Sequence, residues 1–410
     1  MSKAAKKKLP VNSLGWLVLL IVAGGFTPLL RSVYYYSAVA LYSLYVIFRH
    51  AKSRFYRQNR SLVINVSVFI LMALLYKILN ISTASTINII QEILFFIPLL
   101  LMPLVIGSIS NHKQLNWLIG LILVIVSVNI ADNIRLCIVH PELIYWVNRN
   151  LLIDDIEGIG NIGASTWYNG VYFFFTICFF AFLNTDSKIM KRAMLASSIL
   201  SAVFMLFFCL KAAIVIFTVL SVFMLVYAKM NRSFVSLAFI SLFSLLLVLL
   251  FADVIVDMLS SMISSERLLS RLVMLLDSDS VDVSVGENSL NSRVMLWMES
   301  INTWLANPVN FFFGIGATPV SNAHLGVGQH SSFFDSFAKY GLIGGFLIFN
   351  SLRLSYKYIR SLYDRKVRLQ IFAIAVLFML FCITKGVFTP AIGSMLFIML
   401  PLLSKQDIND

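Results

Sequence analysis

Residues 88–110 read NIIQEILFFIPLLLMPLVIGSIS, a run in which Glu92 is the single charge. At about 1.5 Å per residue a helix of that length covers the roughly 30 Å hydrocarbon core of a bilayer. Runs of similar length and character recur on both sides of it, over 12–30, 32–48, 62–79, 116–138, 167–184, 192–210, 212–228, 234–252, 337–356, 369–386 and 388–403. The whole chain of 410 residues is 59% hydrophobic and only 12% charged, with a mean hydropathy of +0.88. Soluble domains are nearer half apolar and a quarter charged. The expected fold class is therefore all-α, a polytopic integral membrane protein with about twelve transmembrane helices.

Charge orients these runs. The formal net charge is +13, but it is not spread evenly. Basic clusters at Lys3–Lys8, Arg49–Arg60, Lys188–Arg192, Lys229–Arg232 and Arg353–Arg368 fall in alternate connections. The other connections carry acidic stretches, such as Asp154-Asp155-Ile156-Glu157 and 277–282. Lys and Arg in short loops mark the cytoplasmic side. Both termini are thus expected in the cytoplasm, and the positive charge reads as an orientation signal with no nucleic-acid partner. Lys6-Lys7-Lys8 followed by Leu17–Ala23 resembles a secretory leader. No small-x-small cleavage site precedes a soluble segment, so it reads as an uncleaved first span. Cys137, Cys178, Cys209 and Cys382 lie in or at the ends of spans, and they read as small packing residues rather than a disulfide framework.

The expected organisation is one transmembrane domain over 1–410, interrupted by two outer connections, 139–166 and the larger 253–336. Within the larger one, Ser278–Asn291 is polar and acidic and reads as a linker, flanked by short helices over about 258–275 and 292–306. Arg293, Trp297, Ile301 and Trp304 form one stripe of the second helix at about 100° per residue. A guanidinium on an apolar stripe has two readings: snorkelling at the bilayer edge, or a charge aimed at a site.

Lys77, Glu92, Asp132, Arg135, Lys211, Asp253 and Lys385 all fall near the outer ends of their spans. Charge inside a bilayer costs about 2.5–3.5 kcal/mol near the centre on insertion scales. Each of these groups either reaches for headgroups or, taken together, lines a hollow open to the outer face. Asp132 and Arg135 stand one turn apart, in reach of each other. A transporter would hold its binding groups nearer the midplane, between internal repeats, and no repeat is evident.

Gly158-Ile159-Gly160-Asn161-Ile162-Gly163 matches a dinucleotide fingerprint in letters only. An acidic loop precedes it and a span follows it, where a strand and a βαβ helix are required. His324 and His330 lack a third ligand at metal spacing, so no metal site is expected. His330 has two readings, an incidental polar residue at the interface or a proton acceptor. If a helix starts near it, Phe334, Phe337 and Gly341 share its face, Lys339 points to the opposite side, and the imidazole faces the bundle. Gly341, Gly344 and Gly345 allow close approach of a neighbouring helix. Lys211, between two spans with almost no spacer, either marks a tight turn or holds an anion. With Arg293 and Arg135 it would neutralise a lipid diphosphate, through charge-assisted hydrogen bonds of about 1.5–3 kcal/mol each.

The series Arg293, Trp297, Pro308, Gly314-Ile315-Gly316 and His330-Ser331-x9-Gly341-x-x-Gly344 resembles the bacterial O-antigen polymerase and O-antigen ligase superfamily. The match covers about 293–344; beyond it the likeness is one of topology and hydropathy. Many members have an arginine where this chain has Lys211, which keeps the charge but loses the bidentate fork. The resemblance implies a metal-independent, cofactor-free, inverting glycosyltransferase at the periplasmic face of the bacterial inner membrane. Its donor would be an undecaprenyl-diphosphate-linked oligosaccharide. His330 would act as general base, and Arg293 and Lys211 would stabilise the leaving diphosphate. Other expected partners are membrane lipids and a chain-length regulator protein. Polymerase is the preferred reading and ligase the alternative; a lipid-linked oligosaccharide flippase is the alternative from another class.

Overall fold

The computed structural model describes residues 12–27, 30, 32–109, 112–139, 165–208, 212–230, 233, 290–318, 327–328 and 331–405. Among them there is no strand. The helices, in chain order, are α1 (Ser13–Phe26), α2 (Val33–His50), α3 (Arg54–Gln58), α4 (Arg60–Ile78), α5 (Thr86–Ser108), α6 (His112–Val139), α7 (Ser165–Asn184), α8 (Lys188–Phe207), α9 (Ala212–Met230), α10 (Leu290–Leu305), α11 (Pro308–Phe313), α12 (Ser332–Leu362), α13 (Arg368–Thr384) and α14 (Pro390–Leu403). Each expected apolar run carries a helix except 234–252, which lies outside the described residues, as do most of the connection 139–166 and the expected helix 258–275.

Four of these helices are long and apolar enough to cross a membrane: Arg60–Ile78, Thr86–Ser108, Lys113–Val139 and Lys188–Leu206. Several others are equally apolar but shorter. The 14 residues of α1 rise about 21 Å, short of a full hydrocarbon core.

α5 is the central element. Of its most apolar window 83% is buried, against 33% for α4 and for α8. It packs against α2, α4 and α14, so a helix that is apolar on every side has protein on every side. α4 shows the contrasting pattern. Val66, Phe69, Ile70, Ala73 and Tyr76 turn inward, while Ile64, Val68, Leu71, Leu75 and Ile78 form an exposed stripe at spacings of three and four. An exposed face made of large aliphatic side chains is suited to lipid rather than water.

Polar side chains in the bundle are satisfied by their own helices. Thr176, Ser198, Ser201, Thr218 and Ser221 each donate to the carbonyl four residues earlier. Tyr172 and Ser221 join α7 to α9 with a 2.6 Å hydroxyl contact. Short polar side chains before apolar runs set the helix starts. Asn12, Ser32, Ser85, Ser187, Asn307 and Ser331 each accept an N–H from the first turn.

Candidate functional site

At one end of the bundle α10 and α11 lie across the start of α12. This end is also where α4 turns into α5 and where α13 leads into α14. The helix expected over 292–306 is found at 290–305. Its stripe is a packing face: Trp297 meets Phe334 at 5.9 Å, and Trp304 meets Phe337 at 4.7 Å between ring centroids. Trp304 also stacks on Phe311 of α11 and donates its indole N–H to the Phe311 carbonyl. Trp297 Nε1 is buried without a hydrogen-bond partner among the described residues. Phe334 and Phe337 therefore face α10.

Lys339 turns away from the α10 face met by Phe334 and Phe337, as expected, and the side it turns to is packed as well: its Nζ lies 3.7 Å from Glu92 Oε2 on α5. The Glu92 carboxylate also accepts from the Tyr340 hydroxyl at 3.2 Å. One expectation for α12 is corrected. A regular helix was assumed through Gly341, yet its backbone stands at φ 61°, ψ −167° and breaks the helix into 332–340 and 342–362. Counting 100° per residue does not carry across such a break. Bilayer energetics also favour what is found, because the ammonium gains a carboxylate partner within the protein.

The break has a purpose visible in the backbone bonds. Interrupting a helix frees carbonyls in its last turn. The freed oxygens of Ala338 and Lys339 accept the N–H groups of Ile315 and Gly316, at 3.0 and 2.8 Å. A side chain at Gly341 would meet the Phe312 backbone at 2.3 Å, and one at Gly314 (φ 73°) would meet the Lys339 backbone at 2.4 Å. The 314–317 strand of chain continues onto the α4–α5 turn. Ala84 N–H donates to the Ala317 carbonyl, Ala317 N–H to Ser82 Oγ, and the Tyr76 hydroxyl to the Phe313 carbonyl. Gly314 and Gly316 on one side and Gly341 on the other belong to one joint.

The start of α12 is fastened just as closely. Ser331 caps the helix through Phe334 N–H and donates its hydroxyl to the Cys382 carbonyl at 3.2 Å. Ser332 N–H donates to the Lys385 carbonyl, and Ser332 Oγ accepts from Val387 N–H at 2.7 Å. Asp335 is the buried carboxylate of this first turn. Its Oδ1 accepts from Ser300 Oγ of α10 at 2.7 Å and its Oδ2 from Ser331 N–H at 3.2 Å. Sequence reading passed over Asp335. The available signal was a carboxylate in the first turn of a helix, where the exposed N–H groups favour negative charge.

The four site residues read from sequence fare differently. His330 lies outside the described residues, immediately before Ser331. Lys211 also lies outside them, in the α8–α9 connection. Arg293 has a described place in the first turn of α10, but not a described side chain. Arg135 is on α6, which packs against α1 and α8. As its spacing predicts, it pairs with Asp132, both contacts at 3.0 Å, and both side chains are more than half exposed. The described groups brought together are thus Glu92, Lys339, Tyr340, Ser300, Asp335, Ser331 and Ser332.

No protein-family model matches the sequence, and no curated protein matches it significantly.

Proposed function

We propose that the chain is an O-antigen polymerase, a glycosyltransferase of the inner membrane that joins undecaprenyl-diphosphate-linked repeat units at the periplasmic face. The reading includes about twelve spans with both termini in the cytoplasm, which places the α10–α11 end in the periplasm. The observation that carries it is the joint at Gly341. Three of the residues on which the superfamily resemblance rests, Gly314, Gly316 and Gly341, meet there within one hydrogen-bonded assembly, and Ser331 caps the helix segment that leads to it. Motif glycines that stand 27 positions apart in sequence and meet in space are better support than the same letters in a row.

In this reading a hydroxyl of the acceptor glycan attacks the anomeric carbon of the donor and His330 takes its proton. The anomeric C–O bond to the diphosphate breaks with inversion, and the leaving group departs with its electron pair. Arg293 and Lys211 stabilise the charge that grows on it. Arg135, held by Asp132, is a weaker candidate for that role. No metal or cofactor is invoked; a chain-length regulator protein and membrane lipids are the expected partners.

A deletion strain discriminates the readings. Lipopolysaccharide capped with a single repeat supports the polymerase. Lipid-linked polymer accumulating with no attached O-antigen supports the ligase. Lipid-linked repeats trapped on the cytoplasmic side support a flippase. In the polymerase case, His330→Ala that still inserts loses about 10²–10⁴-fold in turnover. An O-chain ladder of normal length from that variant refutes the general-base assignment.

A further inference from the structure

We propose that Asp335 is a positioning residue of this reaction, fastening Gly328 and Ser331 to α10. The inference rests on the transferase reading. Its geometric basis does not. Both residues converge on one carboxylate. Ser331 N–H bonds directly to Oδ2, while Gly328 N–H bonds to Ser300 Oγ at 2.9 Å, and that same hydroxyl donates to Oδ1. Ser300 is fully buried, Asp335 is 5% exposed and Ser331 is fully buried, so water does not substitute for any of these bonds. Ser331 is fixed a second time, through Cys382 and the start of α13's exit.

The chemistry favours a carboxylate. Both oxygens are used as acceptors, each toward a different donor, and a carboxylate is an acceptor at both. An amide in its place accepts through one oxygen only: the Ser300 hydroxyl must turn round to accept from its NH₂ group, and both bonds lose the assistance of the negative charge. An N-terminal carboxylate that merely favours the helix start would need one such bond, to its own first turn. The second, to Ser300 of another element, is what makes a clamp. Backbone fastened this way, as at Gly328 and Ser331, has little freedom left to lose, and a misplacement of about 1 Å in a reacting group costs on the order of 10²-fold in rate.

The test uses the full chain in detergent or liposomes, with an undecaprenyl-diphosphate-linked repeat as both donor and acceptor. For Asp335→Asn the expected result is a fall of about 10–100-fold in kcat with donor KM nearly unchanged. Amide exchange, read by mass spectrometry, should rise at Gly328 and Ser331 and stay unchanged in α5. Ser300→Ala, a milder variant that keeps the Ser331 bond, should shift the same two readouts by less. Unchanged exchange at Gly328 and Ser331 in both variants overturns the clamp. Faster exchange with wild-type kcat, in a protein that His330→Ala inactivates, overturns the positioning role. Absence of turnover by the wild-type chain in the same assay removes the transferase reading beneath it, and the two failures are thereby told apart.

Discussion

The two segments of α12, 332–340 and 342–362, follow one another across the Gly341 break and are held by different physics. The first is fastened by charge and aromatic contact: Asp335 to Ser300, Lys339 to Glu92, and Phe334 and Phe337 to the tryptophans of α10. The second is buried along Gly344, Gly345, Ile348, Ser351, Leu352 and Ser355. Among the described residues it makes an interhelical amide pair, Asn350 Nδ2 to Asn65 Oδ1 at 3.0 Å. Small residues and self-satisfied hydroxyls are how helices approach each other in lipid. Buried charge and stacked rings fix a register instead. The difference separates an anchoring half from a half adapted for precise placement.

The sharpest way to break this division is at the joint. Gly341→Ala puts a Cβ on a residue at positive φ and 2.3 Å from the Phe312 backbone. A cost above about 3 kcal/mol is expected, because strain and clash add. Size-exclusion chromatography in detergent should show the variant aggregated or absent. A monodisperse, normally stable variant would show that the two segments form a continuous helix.

Removing Glu92 tests the charge in the first segment. Glu92 and Lys339 side chains are 11% and 22% exposed, so solvent screening is limited. Glu92→Ala should cost about 3–5 kcal/mol, because it leaves an ammonium buried without its carboxylate. Adding Lys339→Met should restore much of that loss in thermal denaturation. Losses that simply add would mean the pair is not coupled.

In the second segment, Asn350→Leu should cost only about 0.6 kcal/mol, the average for a polar contact between membrane helices. A loss as large as that of Glu92→Ala would erase the contrast between the segments. Arg135→Gln, outside both, is expected to change stability by less than about 0.5 kcal/mol, since its pair with Asp132 is exposed. A clear loss of donor use in that variant would return Arg135 to the diphosphate site.

Some of this was legible in the sequence because it depends on neighbours along the chain. α10 was readable to within two residues at each end, since its tryptophan stripe repeats at helical spacing. The Asp132–Arg135 pair was readable because residues three apart share a helix face. Ser331 as a helix start has the same local origin. Lys339 was readable as lying opposite Phe334 and Phe337, but its partner Glu92, 247 positions away, was not. Nor was the break at Gly341, which stands against the Phe312 backbone. Asp335 has no distinguishing neighbour in sequence, and its importance comes from Ser300.

Length and periodicity of apolar residues were enough to determine a helical, lipid-compatible chain, because water and hydrocarbon act on each segment separately. Which carboxylate meets which cation, and where α12 stops being one helix, was decided only when distant segments packed. Those choices follow from close contacts between backbones, and a contact between residues hundreds of positions apart leaves no local trace in the order of amino acids.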